Sequence, residues 1–63
     1  MNVEVIRDTS ASVILLFTGE NITQDEVVNY TADYLGERQE NIDKIRYFGT
    51  PKDKDMSCAI LFK

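Results

Sequence analysis

Residues 1–6 alternate apolar and polar side chains, the period-two pattern of a strand half buried against a core. A turn cluster, Arg7-Asp8-Thr9-Ser10, separates them from residues 11–18, ASVILLFT, whose β-branched and aromatic content predicts a second strand. The connection is short enough to make the pair a hairpin. The period then lengthens. Thr23-Gln24-Asp25-Glu26 fits a capping box, with Thr23 as N-cap and Glu26 reaching back to its amide, and Ile22 and Val27 stand where a hydrophobic staple would place them. Val27, Val28, Thr31, Tyr34 and Leu35 follow at helical spacings on one face. Gly36 comes where a left-handed C-cap is wanted. Start, face and stop together predict one amphipathic helix over residues 23–35. After a polar link, residues 42–48 read as a third strand and the charged stretch 49–55 as a loop. Residues 56–62 alternate as a fourth strand, with Met56, Cys58, Ile60 and Phe62 on one side.

The order is ββαββ, in the α+β class. The simplest closure is a four-stranded mixed sheet of order 2-1-4-3, first and last strands parallel at its centre, with the helix packed on one face by a right-handed crossover. In element order and spacing the chain resembles β-grasp domains, the small immunoglobulin-binding domains among them. The resemblance covers nearly the whole chain but includes no shared motif, so it implies a fold and carries no functional residue with it.

Strand alternation divides the apolar residues between two faces. Val13, Leu15 and Phe17, with Val3 and Val5, are expected to point at the helix, so Ile14 and Leu16 must point away. Ile6 and Leu61 fall on that outer face by their own alternation, as does Phe48. One helix covers one face, which leaves the other as an expected contact surface for a partner or a second copy of the chain. In the 2-1-4-3 order the second strand would also lie at an edge with unpaired backbone groups.

With 63 residues the chain is expected to be a single domain, 1–63. Cys58 is the only cysteine and there is no histidine, which excludes a disulfide within one copy and a tetrahedral zinc site. Stability must come from packing or self-association. The hydrophobic share of 43% suits a globular domain. No apolar run approaches the roughly 20 residues that span a bilayer, so no membrane association is expected. The N-terminal residues lack the basic-then-apolar pattern of a signal peptide, which with the lone cysteine points to the cytoplasm.

Net charge is −4, unevenly spread. Residues 19–43 hold seven acids and one base, whereas residues 44–63 hold five bases and two acids. On the helix, Asp25, Asn29 and Asp33 stand four apart, with Glu26 and Glu37 beside them. No lysine is interleaved. Such a stripe would steer the chain onto a basic surface, including the groove of a nucleic-acid enzyme. The second hairpin offers Lys44, Arg46, Lys52 and Lys54 beside Tyr47 and Phe48, a composition that binds single strands. Asp53 and Asp55 interrupt it, and the overall charge disfavours phosphate backbones.

Catalysis is not expected. There is no histidine, and Cys58 is assigned to the core. The three glycines are too dispersed for a phosphate loop, and Asp53-Lys54-Asp55 lacks the spacing of a calcium loop. No cofactor or metal is implied. The expected function is a small acidic protein-binding module: an inhibitor, antitoxin-like partner or adaptor of the kind phage and mobile elements encode. The alternatives are a homodimer built through the sheet and weak nucleic-acid binding by the second hairpin.

Overall fold

The helix forms where its cap signals place it. In the computed structural model, which describes residues 1–49 and 55–63, Thr23 is extended and its Oγ1 accepts the Glu26 N–H at 3.2 Å. Only this half of the capping box is made among the described residues. Ile22 and Val27, the staple pair, are both buried. Helix α1 (Gln24–Leu35) ends at Gly36, whose φ of 56° closes the last turn through its N–H to the Ala32 carbonyl. The expected polar link is a 3-10 segment (Gly36–Asn41).

Strands β1 (Asn2–Asp8) and β2 (Ser12–Thr18) form the first hairpin, β3 (Ile42–Phe48) and β4 (Asp55–Phe62) the second. The Thr9 hydroxyl organises the first turn, accepting from the Ala11 and Ser12 amides at 3.1 and 3.0 Å. At the start of the second, Gly49 has a φ of 102°, and a Cβ there would stand 2.7 Å from the Asp55 carbonyl oxygen. The remainder of that loop, with Lys52, Asp53 and Lys54 of the expected charged stretch, lies outside the described residues.

The sheet corrects the expected topology. Its order is β1-β2-β4-β3 and every neighbouring pair is antiparallel. The mixed 2-1-4-3 sheet with a central parallel pair does not form. Nor does β2 lie at an edge: it is central, hydrogen-bonded to β1 and β4. Burial explains the exchange. Alternate residues of β2 (Val13, Leu15, Phe17) pair with alternate residues of β4 (Ile60, Cys58, Met56), and all six are buried. Each such side chain is worth about 1.5–3 kcal/mol when removed from water. β1 carries Glu4, Arg7 and Asp8 and has little to gain from a central place. The β2–α1–β3 connection therefore steps over β4, so that β2 and β3 run the same way with β4 between them.

Val27, Thr31 and Leu35 are the buried face of α1, joined with Ile22 to the six strand residues. Phe17 meets Tyr30 edge-to-face, with ring centres 5.5 Å apart. Twelve helical residues do not roof four strands. Val28, expected on the buried face, is exposed, and Val5, on the helix side opposite Leu15, is exposed too.

Candidate binding surfaces

Cross-strand pairing fixes what the uncovered face of the sheet presents. One row reads Glu4, Leu16, Ser57, Phe48 across the four strands, and the next Arg7, Ile14, Ala59, Arg46. A third reads Ser12, Leu61, Lys44. Directly opposed residues share a face, so Ile14, Leu16 and Leu61 lie together on the outer side, joined by Phe48 and Ala59. Ile6 is the extra residue of a bulge in β1 between Val5 and Arg7, beside Ile14. Ile6, Leu61 and Phe48 are 54%, 52% and 50% exposed. No helix or strand of the described residues covers this face.

The same rows place Arg7, Lys44 and Arg46 around that apolar centre with Glu4, and a fourth row of Asn2, Thr18 and Asp55 adds a second acid at one end of the face. None of the three cations has a carboxylate within ion-pair distance among the described residues, whose single salt bridge is Arg38–Asp8. Strand parity puts Lys44, Arg46 and Phe48 on one side, so that part of the frame was legible in sequence; Arg7 joins it only through the bulge in β1.

Asp25, Glu26, Asn29 and Asp33 are all exposed on α1, and no cation pairs with them among the described residues. Glu37 is exposed as well but belongs to the 3-10 segment beyond Gly36, so the four-residue spacing that would continue the stripe stops at Asp33.

The bulge in β1 has a second effect. Strict alternation would turn Asp8 outward; the extra residue turns it to the helix side, opposite Val13. There its carboxylate accepts from the Tyr34 hydroxyl and, at 2.8 Å, from the Arg38 guanidinium. The Arg38 hydrogen bond, then that of Tyr34, holds the Asp8 carboxyl below its usual 3.8, and Asp8 in turn raises Tyr34 above 10.0. Arg38 also lies 5.7 Å from the Tyr34 ring centre and 5.8 Å from that of Phe62. Its charge is therefore engaged by Asp8 where it lines a shallow hollow of about 250 Å³ with Ser10, Asn41, Phe62 and Lys63. This cluster was not foreseeable, because nothing in the residue pattern announces the bulge.

Where α1 fails to reach β3, a solvent-open groove of about 190 Å³ runs between Val28 and Leu35 on one side and Ile45 and Tyr47 on the other. Cys58, as expected, is buried, and burial pushes its thiol up, away from the thiolate a nucleophile needs. No helix among the described residues is long and apolar enough to cross a membrane. No protein-family model, no curated protein and no solved structure matches the chain.

Proposed function

We propose that the chain is a protein-binding module that docks through the outer face of its sheet onto a protein surface apolar at its centre and acidic around it. The supporting observation is the frame of Arg7, Lys44 and Arg46, without carboxylate partners among the described residues, around Ile6, Ile14, Leu16, Leu61 and Phe48 on a face that no described helix or strand covers. Apolar burial would supply the affinity. The cations would select a carboxylate-bearing partner and speed its approach. A two-fold homodimer through this face is less favoured, since both copies would bring the same excess of cations to one interface. Catalysis has no part in this proposal. Its setting would be intracellular, as an inhibitor, antitoxin-like protein or adaptor.

The test is affinity capture from the native host with the tagged full chain, wild type against a Lys44→Glu/Arg46→Glu variant whose circular dichroism is unchanged. A partner held by the wild type and released by the variant supports docking through the sheet. A partner held equally by both removes it.

The carboxylates of α1, without cation partners among the described residues, favour a second mode, docking of Asp25, Glu26 and Asp33 into the basic groove of a nucleic-acid enzyme. In that case a triple Asp25→Lys/Glu26→Lys/Asp33→Lys variant releases the partner and the sheet variant retains it.

A further inference from the structure

The side of the sheet that α1 occupies is left open at β1. Val3, Val5 and Asp8 follow one another along the helix side of that strand, opposite Phe17, Leu15 and Val13. The Tyr34 hydroxyl reaches across to Asp8, and Tyr30 meets Phe17, the strand partner of Val3. Val5 stands between those two crossings. It is 47% exposed and Tyr30 38%, so the strip has an apolar floor and an aromatic wall that no helix or strand of the described residues roofs.

The wall is half filled already. The Tyr30 and Tyr34 rings stack 14° from parallel, their centres 6.5 Å apart. Arg38 lies over the Tyr34 ring at 5.7 Å and donates to the Asp8 carboxylate at 2.8 Å. A tyrosine ring beside a carboxylate is thus a set that this chain itself fills with a guanidinium. Tyr30 repeats the set without a cation among the described residues. Glu26 stands four residues before it and Asp33 three after, both its neighbours on the helix surface. Helical side chains lean towards the N-terminus, which lays the Tyr30 ring over the turn that carries Glu26. The cap leaves the Glu26 carboxylate available, since only the Glu26 N–H is bonded at Thr23.

We propose that Tyr30, Glu26 and Asp33 hold an arginine side chain of a protein partner, its guanidinium on the Tyr30 ring and paired with the two carboxylates, while an apolar neighbour in that partner covers Val5. Arginine fits better than lysine, because a planar guanidinium stacks on a ring and still forks to a carboxylate. A phosphate-bearing strand or an anionic membrane would be repelled by the same two acids. The strip lies on the opposite side of the sheet from Leu16 and Leu61, and does not depend on the docking proposed there.

Titration of the isotope-labelled full chain with the capped tripeptide Arg-Leu-Arg, and with capped Lys-Leu-Lys of the same charge, followed by amide chemical shifts at low salt, tests this. Saturable shifts centred on Val5, Glu26, Tyr30 and Asp33 are expected, with the arginine peptide bound about two- to fivefold more tightly, the worth of an exposed cation–π contact. Tyr30→Leu should abolish that preference. Glu26→Gln, at an exposed side chain that the cap does not use, should weaken both peptides and keeps the test open if Tyr30→Leu fails to fold. Equal affinities for the two peptides, a preference kept in Tyr30→Leu, affinities unchanged in Glu26→Gln, or shifts centred on Asp25 and Asn29 would each overturn the proposal. The same shifts on raising the protein concentration without peptide would assign the strip to a second copy and overturn it as well.

Discussion

Replacing Thr31 by valine should stabilise the protein. The two side chains have nearly the same shape, so the substitution exchanges one buried hydroxyl for a methyl and leaves the packing against α1 and β4 intact. Thr31 is 1% exposed and its Oγ1 lacks a partner, so the wild type bears the cost of a desolvated, unsatisfied hydroxyl, about 1–3 kcal/mol. The methyl adds about 0.8 kcal/mol of apolar burial where it meets protein, less where it meets the groove. Threonine and valine differ little in helix propensity, so α1 itself is neutral to the change. Against these gains stands only the weak contact with the Cys58 thiol. The net expectation is a gain of about 1 kcal/mol or more, or a Tm raised by roughly 4–8 °C per kcal/mol in a domain this small. Urea unfolding followed by circular dichroism, with the slope against denaturant unchanged, would separate a native-state effect from one on the unfolded chain. Thr31→Ala is the control: it also removes the hydroxyl but opens a gap, and should fall below Thr31→Val. A loss of stability in Thr31→Val would show that the hydroxyl is bonded in the folded protein, and would remove this reasoning.

The Asp8 cluster predicts a pH dependence with two limbs. A carboxyl held below its usual 3.8 stabilises fully above that value and loses its contribution as pH falls through the lowered one; Tyr34, raised above 10.0, contributes below that pH and loses it as pH climbs through the raised value. Thermal midpoints measured from pH 6 to 2 should therefore drop more for the wild type than for Asp8→Asn, and parallel curves would contradict the assignment. Gly49→Ala should destabilise by about 1–3 kcal/mol in urea, because its φ of 102° and the Asp55 carbonyl at 2.7 Å strain any Cβ; an unchanged midpoint would mean the turn yields.

The elements were legible because their signals are local. The cap at Thr23, the glycine after Leu35 and the parity of Val13, Leu15 and Phe17 each act within a few residues, and the structure places them accordingly. The outward sides of Ile14, Leu16 and Leu61 followed from the same parity. Sheet order was not legible, because element succession is compatible with β1 or β2 beside β4. The choice rests on which strand has three apolar residues to bury against Met56, Cys58 and Ile60. The resemblance to β-grasp domains supplied the wrong order for that reason: it rested on succession alone. The inward turn of Asp8 and the gap beneath Val28 were hidden for other reasons. The first depends on a single inserted residue in the ladder. The second depends on how much of a four-stranded sheet a twelve-residue helix covers, on which periodicity is silent.

Both outermost strands of the sheet are irregular. β1 is interrupted at Ile6 and β3 between Ile42 and Lys44, where the extra residue is the acid Asp43. A regular outer strand is a template on which another copy can lay a strand and continue the sheet without limit; an inserted residue, and a charge at one of them, breaks the run of evenly spaced donors and acceptors that such growth requires. The molecule can therefore keep an oily, cation-framed face open to solvent while remaining a poor seed for fibres. Irregular rims disfavour association that would propagate, and leave the faces, where association is finite.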